Sequence, residues 1–243
     1  MEGTGGKEGI VLLTPLTCVT SNTSLTRMKA FIFDFDGVIV DSQKYWDSHT
    51  MELYRALVPG WNETDNLRPK GMSVPDSFAM LRREYGYTGS KEEFVRHFDA
   101  FALDLYLTKA HVIGGIEALI ERLEAMHIPI GISTASRSDW LQSALEHHGL
   151  HHHFAAASCE DDVLHSKPKP DVYLLTAKKL GVDPATCVAL EDTVQGLTAA
   201  KAAGMYCIAL QTADHLAHVQ DLSIADKIIS HPDELTEEVL RSL

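Results

Sequence analysis

The sequence has few cysteines, and none of them are spaced as a pair. Among 243 residues there are four, and no Cys-x-x-Cys occurs. Most of them lie within short apolar runs of the kind that form buried strands. We therefore expect reduced cysteines in the core, and the four are Cys18, Cys159, Cys187 and Cys207.

Basic runs and long apolar runs are also missing. The chain has 21 Lys and Arg against 34 Asp and Glu, which gives a formal net charge of −13. Such a field repels nucleic acid and anionic membranes. No apolar stretch approaches the roughly 18 residues that span a bilayer. We expect a globular cytoplasmic protein, a monomer or weak homodimer, that binds neither nucleic acid nor membrane.

The first 27 residues are rich in Gly, Ser and Thr. They have neither the basic start nor the apolar centre of a secretory signal, and we interpret them as an N-terminal tail. A transit peptide is the alternative, but Glu2 and Glu8 do not fit an acid-poor leader.

From Met28 onward, short apolar runs alternate with segments of helical periodicity. Continuous apolar runs are typical of parallel strands covered on both faces, and residues 116–126 place their apolar side chains on one helical stripe. Gly149 and Gly204 each follow a helical segment, which a glycine at positive φ can end. The alternation predicts an α/β fold. The predicted strands are Ala30–Phe33, Pro129–Thr134, Phe154–Ala157, Cys187–Leu190, Tyr206–Leu210 and Lys227–Ser230.

About 90 residues separate the first two predicted strands, far more than a crossover connection requires. Residues 45–110 have helical patterns, with a turn near residues 68–75. We therefore predict a Rossmann-like parallel-sheet core, residues 28–43 and 111–243, with an all-helical cap domain, residues 44–110, inserted after the first strand.

Two aspartates lie where the first predicted strand gives way to Gly37. Asp34 and Asp36 are two residues apart, so on an extended backbone their side chains share one face. Ligands bind beyond the carboxyl ends of the strands in open α/β sheets. This predicts Asp34 as a nucleophile or metal ligand and Asp36 as a proton donor. A solvated turn or a helix cap is the alternative for an isolated Asp-x-Asp.

The second strand ends in hydroxyl groups followed by the start of a helix, a combination suited to phosphate. Thr134 is the predicted phosphate contact, and Ala135 and Ser136 are predicted to bind substrate beside it. N-capping of the helix by Thr134, Ser136 or Ser138 is the alternative.

Two further strand ends bring a lysine and two acids to the same edge. Prolines on both sides of Lys169 restrict the backbone around Lys167, and a rigid Lys167 can neutralise a transferring phosphoryl group. Glu191 and Asp192 end the fourth strand. Mg²⁺ prefers one or two carboxylates with water and phosphate oxygens, which Asp34 and Asp192 provide. A helix N-cap is the alternative for Asp192.

Together, these motifs resemble those of the haloacid dehalogenase superfamily, in the branch of β-phosphoglucomutase-like and phosphoglycolate-phosphatase-like enzymes. The resemblance extends from Met28 to about His231. It rests on Asp34-Phe-Asp-Gly-Val38, the strand end at Thr134, Lys167 in Ser-Lys-Pro-Lys-Pro-Asp and Glu191-Asp192 in Leu-Glu-Asp-Thr.

The resemblance implies a Mg²⁺-dependent hydrolase of a small phosphorylated metabolite, such as a sugar phosphate or phosphoglycolate. Asp34 would form an aspartyl-phosphate, and Asp36 would protonate the leaving oxygen and then activate water. Mg²⁺ would bind the Asp34 carboxylate, the Asp36 carbonyl and Asp192, with Glu191 as an outer-shell or occasional direct ligand.

The same resemblance implies roles for the remaining residues. Lys167 and Thr134 would screen the phosphoryl oxygens. The cap would exclude water and move about hinges near residues 41–42 and 108–110. A helix cap is the alternative role for Asp41.

In the cap the resemblance is incomplete. β-Phosphoglucomutases carry histidine at the position of Trp46 and arginine at that of Val74, so this sequence favours hydrolysis, with a phosphosugar mutase as the alternative. Lys70 and Gly71 do match and are predicted substrate contacts. Trp46 is a further one, for which packing within the cap is the alternative. A non-catalytic binding module is a lesser alternative, because such a member would be expected to lose Asp34 or the other acids.

A histidine-rich segment lies between the second and third predicted strands. Imidazoles suit zinc or nickel, but no closing carboxylate or cysteine pattern accompanies them. We expect a polar surface patch, composed of His147, His148, His151, His152 and His153.

Overall fold

Six parallel strands form a single sheet in the order β3-β2-β1-β4-β5-β6. The computed structural model describes residues 28–62, 64–65, 74–212 and 221–243. Each predicted strand is present, with its ends shifted by two residues at most. The strands are β1 (Ala30–Phe33), β2 (Ile130–Ser133), β3 (Ala156–Ser158), β4 (Cys187–Glu191), β5 (Tyr206–Leu210) and β6 (Lys227–Ile229).

Helices cover both faces of the sheet. Because side chains alternate along a strand, Phe31 and Phe33 join one apolar cluster and Ala30 and Ile32 join another. The first cluster includes side chains of α4, α5 and α8, and the second includes those of α6 and α7. These helices are α4 (Ile116–Ala125), α5 (Ser138–His147), α6 (Asp171–Leu180), α7 (Val194–Ala202) and α8 (Glu237–Arg241).

The insertion between β1 and β2 contains an all-helical cap. Aromatic side chains form its interior, where the rings of Tyr54 and Trp61 stack at 4.6 Å and those of Phe94 and Phe98 lie 4.9 Å apart. The predicted turn near residues 68–75 falls mostly outside the described residues. The cap helices are α1 (Gln43–Leu57), α2 (Val74–Glu84), α3 (Lys91–Asp104) and a π-helical turn (Leu105–Lys109).

The chain crosses between core and cap at two adjacent points. Asp41 on the outgoing segment donates its N–H to the carbonyl of His111 at 2.9 Å, and the N–H of His111 donates to Asp41 Oδ1 at 2.6 Å. Ser42, not Asp41, is the N-cap residue of α1, and it makes no side-chain capping bond. The helix-cap alternative for Asp41 is therefore wrong, because its carboxylate joins the two crossings.

Several smaller predictions can be compared with the fold. Gly149 and Gly204 end α5 and α7 with φ of 73° and 84°. Cys159, Cys187 and Cys207 are buried free thiols, while Cys18 lies outside the described residues. Within the described ranges no helix is both long enough and apolar enough to cross a bilayer.

Candidate active site

The site lies where β1, β2 and β4 end, at the centre of the sheet's carboxyl edge. Asp34 follows β1 directly, and its N–H donates to the carbonyl of Leu190 in β4 at 2.9 Å. Thr134 follows β2 in the same way, donating to Ser158 of β3 at 3.0 Å. Since parallel strands end at a common edge, side chains distant in sequence become neighbours here.

Three buried carboxylates meet at this edge. Asp34, Glu191 and Asp192 each offer an oxygen within 4.8 Å of the others, and their relative exposures are only 6%, 0% and 4%. Lys167 Nζ lies 2.8 Å from Asp34 Oδ1 and 2.5 Å from Glu191 Oε1. One cation thus balances part of the charge of three acids.

Burial, together with the remaining negative charge, shifts the pKa values of the site. Burial, followed by the charge of Glu191, raises the pKa of Asp34 to about 7. Burial and the charge of Asp34 raise the pKa of Asp192 well above its usual value. Burial opposes a charged Lys167, but Asp34 and Glu191 outweigh it and raise the lysine pKa. Without a further cation, the ionised site is electrostatically unfavourable.

Glu191 is held by hydrogen bonds on both of its oxygens. Oε1 accepts from Lys167 and from the Tyr173 hydroxyl at 2.6 Å. Oε2 accepts from the N–H of Asp192 at 3.1 Å and from the N–H and hydroxyl of Thr193 at 3.4 and 3.2 Å. Five donors leave little capacity for a metal ion, so this geometry suits the outer-shell role rather than direct ligation.

The donor set fits a divalent cation of the hard class. Asp34 and Asp192 present carboxylate oxygens in a buried, negatively charged site, which are the ligands that small divalent cations prefer. Thr193, not Asp192, is the N-cap of α7, because its hydroxyl accepts from the N–H of Gly196 at 3.1 Å. The N-cap alternative for Asp192 is therefore wrong.

Asp36 points toward the boundary between core and cap. Its Oδ1 accepts from Ser42 Oγ at 2.6 Å, Trp46 Nε1 at 3.3 Å and Tyr106 Oη at 2.8 Å. Its Oδ2 accepts from Ser136 Oγ at 2.6 Å. The donors come from both crossings, the first cap helix and the turn after β2, so Asp36 is bound at a junction of four segments.

The turn after β2 does not cap α5 with its hydroxyls. Thr134 Oγ1 accepts the N–H of Ser136 at 2.9 Å, and Ala135 is exposed between them. The N-cap residue of α5 is Arg137, without a side-chain capping bond, and the N–H of Ser138 donates instead to Asp161 at 2.9 Å. Capping of α5 by Thr134, Ser136 or Ser138 is therefore wrong.

The other predicted residues lie in different surroundings. Trp46 is half-buried and packs against Phe101, Tyr106 and Trp140, at ring distances of 5.0, 6.2 and 5.9 Å, while also reaching Asp36. Lys70 and Gly71 lie outside the described residues. Lys169 is exposed, unlike Lys167.

The histidine segment begins at His147, the last residue of α5. The rings of His152 and His153 lie 4.0 Å apart, and His153 Nδ1 lies 2.8 Å from Glu124 Oε1. His151, His152 and His153 form a single 3₁₀ turn after α5.

Three residues of the site were not predicted from the sequence. Tyr106 lies in the π-helical turn after α3 and donates to Asp36. Tyr173 lies in α6 and donates to Glu191. Gly196 is the third, and only glycine fits at this position, because a Cβ there would lie 1.9 Å from Glu191 Oε1. The Gly three residues after Thr193 was the available signal, since a glycine near a helix start permits close packing.

The parallel sheet, the helical cap inserted after β1 and the acidic group at the carboxyl edge define the molecule as a capped α/β protein with a buried carboxylate site. Its family follows from comparison with known proteins. Residues 31–210, most of the chain, match the family model described as haloacid dehalogenase-like hydrolase. The chain belongs to this family.

Relatives of known activity agree with this assignment. A fructose-1-phosphate phosphatase of Escherichia coli (strain K12) is 46% identical over 197 residues, which cover 74% of this chain and 94% of the relative. Hexitol phosphatase B of the same strain is 31% identical over 216 residues, covering 88% and 97%. The crystal structure of β-phosphoglucomutase from Clostridium difficile has a TM-score of 0.71 at 26% identity, covering 87% and 94%. The chain is a phosphatase of the haloacid dehalogenase type.

Proposed function

We propose that this phosphatase hydrolyses small sugar phosphate monoesters in a Mg²⁺-dependent reaction through an aspartyl-phosphate on Asp34. The observation that carries the proposal is the position of Asp34, buried at the central strand end, paired with Lys167 at 2.8 Å and grouped with two further acids. A carboxylate and a phosphate dianion repel each other, so a nucleophilic carboxylate needs a nearby cation, and Lys167 is that cation here.

The first step transfers the phosphoryl group. An oxygen of Asp34 attacks phosphorus, the bond from phosphorus to the ester oxygen breaks, and the proton of Asp36 passes to that oxygen. The products are the free sugar or sugar alcohol and aspartyl-phosphate. In the second step Asp36 takes a proton from water, whose oxygen attacks phosphorus, so that the bond to Asp34 breaks and phosphate leaves.

The surrounding groups balance charge and orient the substrate. When bound, Mg²⁺ supplies positive charge beside the phosphoryl oxygens, held by the Asp34 and Asp192 carboxylates and the Asp36 carbonyl. Lys167 adds a second positive charge. The Thr134 hydroxyl and the Ala135 amide are the proposed contacts of the phosphoryl oxygens. Ser136, whose amide bonds to Thr134 Oγ1, is the proposed substrate contact beside them.

The substrate class is supported by the phosphatases among the relatives, whose names specify fructose 1-phosphate and hexitol phosphates. Lys70, Gly71 and Trp46 remain the proposed cap contacts of the sugar. A phosphosugar mutase is the second candidate, favoured by the likeness to β-phosphoglucomutase. Trp46 in place of the mutase histidine supports hydrolysis.

The test is phosphate release from fructose 1-phosphate, a hexitol phosphate, glucose 6-phosphate, phosphoglycolate and p-nitrophenyl phosphate, with Mg²⁺ or with EDTA. We expect turnover of sugar phosphates with Mg²⁺ only, and a loss of about 10⁴-fold in kcat for Asp34→Asn. Conversion of β-glucose 1-phosphate to the 6-phosphate without phosphate release would favour the mutase instead.

Two lysines of one loop provide a matched pair. Lys167→Ala should lose most activity, because it removes the only cation that contacts Asp34 among the described residues, whereas Lys169→Ala, at an exposed position, should resemble the wild type. Equal activity of the two variants, or activity of Asp34→Asn near that of the wild type, would reject the mechanism.

A further inference from the structure

Tyr106 reaches the site from the segment where the chain returns from cap to core. It lies in the π-helical turn after α3 and is fully buried. Its ring lies 5.5 Å from that of Phe35 and 6.2 Å from that of Trp46. These contacts fix the direction of the hydroxyl, which is the one polar atom of the side chain.

The hydroxyl closes a ring of short contacts with Asp36 and Ser136. Tyr106 Oη lies 2.8 Å from Asp36 Oδ1 and 2.9 Å from Ser136 Oγ, and Ser136 Oγ lies 2.6 Å from Asp36 Oδ2. The two hydroxyls therefore hold different oxygens of one carboxyl group. Tyr106 shares Oδ1 with Ser42 and Trp46, but of these three donors it is the one that also contacts Ser136, which holds Oδ2.

We propose that Tyr106 is a positioning residue that orients the Asp36 carboxyl group toward the leaving-group oxygen. The inference rests on the proposed function, in which Asp36 protonates that oxygen. Asp36 is only half-buried, and Tyr106 links the contacts on its two oxygens, so loss of the Tyr106 hydroxyl would loosen the alignment of the carboxyl group. Proton transfer requires hydrogen-bond distance and alignment to the leaving oxygen, and a shift of about 1 Å can cost about 100-fold in rate.

The leaving group provides a readout that a merely structural role would not change. A sugar alkoxide needs protonation as it leaves, whereas p-nitrophenolate leaves with little assistance. For Tyr106→Phe, which keeps the ring and removes the hydroxyl, we expect kcat/KM to fall about 10- to 100-fold with a sugar phosphate. With p-nitrophenyl phosphate the fall should be under about 3-fold. Asp36→Asn should show the same discrimination, and more strongly.

Tyr54→Phe is the matched control. Tyr54 is another buried cap tyrosine, and its hydroxyl bonds to Ser77 rather than to the site. It should leave both kcat/KM values within about 2-fold of the wild type, whatever it costs in stability. If Tyr106→Phe does not fold, Ser136→Ala provides the same comparison. Any loss of phosphate binding lowers kcat/KM equally with both substrates, so it cancels in the ratio of the two losses.

The outcomes separate the two proposals. If Asp36→Asn discriminates between the substrates but Tyr106→Phe loses equally with both, or loses nothing, the role of Tyr106 is rejected and the proposed function stands. If the wild type releases no phosphate, or if Asp36→Asn does not discriminate, the proposed function itself fails.

Discussion

At the scale of residues, the three site carboxylates have different tasks because they have different partners. Glu191 is saturated by five donors, so it holds Lys167 in place rather than facing the substrate. Asp34 and Asp192 are the carboxylates that we propose as ligands of the cation. The division depends on neighbours without reactive chemistry, of which Gly196 is the clearest, since only a hydrogen fits between α7 and Glu191.

Replacement of Gly196 by alanine tests that dependence. The new Cβ would displace Glu191 or α7, so Gly196→Ala should lower stability by about 1 to 3 kcal/mol and kcat/KM at least about 10-fold. Urea unfolding and phosphate release are the measurements.

Gly204→Ala is the control for this change. Gly204 has φ of 84° and nothing within 4 Å of its missing Cβ, so alanine should cost about 1 kcal/mol of stability without affecting turnover. Full activity of Gly196→Ala would show that Glu191 does not need its present position.

At the scale of elements, a hydrogen bond between α3 and α5 is one of several that join the cap to the core. The indole N–H of Trp140 in α5 donates to Asp99 Oδ1 in α3 at 2.9 Å, and Arg137 Nε lies 3.7 Å from the same oxygen. Trp140 is buried, so its N–H has no ready replacement partner in water. This contact stabilises the docking of α3 on α5.

Asp99→Ala should therefore destabilise the protein by about 1 to 3 kcal/mol, because it leaves the Trp140 N–H without an acceptor. Asp104→Ala, in the same helix but 52% exposed and paired with Lys109, should cost under about 0.5 kcal/mol. Urea unfolding of both variants measures the difference. Equal losses would mean that the Trp140 bond contributes nothing specific.

The strands and the motif residues were predictable, because burial on both faces requires continuous apolar runs and because the reactive groups follow those runs directly. The contacts between distant segments were not. Tyr106 donates a hydrogen bond to Asp36, which lies 70 positions away in the sequence, and no local sequence pattern predicts that contact. The capping alternatives for Thr134, Ser136 and Ser138 failed for the same reason, since Asp161 reaches Ser138 from a separate 3₁₀ turn.

At the scale of the whole molecule, the acidic site reduces the stability of the metal-free protein. The folded pKa of Asp34 is about 7, and that of Asp192 is also raised, whereas unfolded aspartate titrates near 3.9. Between these values the folded state binds more protons than the unfolded state, so the free energy of unfolding falls as pH rises from about 4 to about 7.

In EDTA, the wild type should thus lose stability between pH 5 and pH 8, and Asp192→Asn should lose less. At pH 8 the variant should be more stable than the wild type, because it lacks a carboxylate whose ionisation in the folded state is unfavourable. Adding Mg²⁺ should stabilise the wild type and not the variant.

Glu117→Gln removes one exposed negative charge from α4 and is the control for net charge. Its pH dependence should follow that of the wild type. A metal-free Asp192→Asn that is less stable than the wild type at pH 8 would contradict the electrostatic account. Urea unfolding at the two pH values decides the matter.

The strand order has a consequence for biosynthesis. Phe31 of β1 pairs with Ile130 of β2 on one side and with Val188 of β4 on the other. The central strand leaves the ribosome before either neighbour exists. The unpaired N–H and C=O groups of one edge stay open until β2 is made, and those of the other edge until β4 is made. Asp34 is thus among the first residues of the site to be translated, and the group of three carboxylates is complete only after Asp192 has followed it.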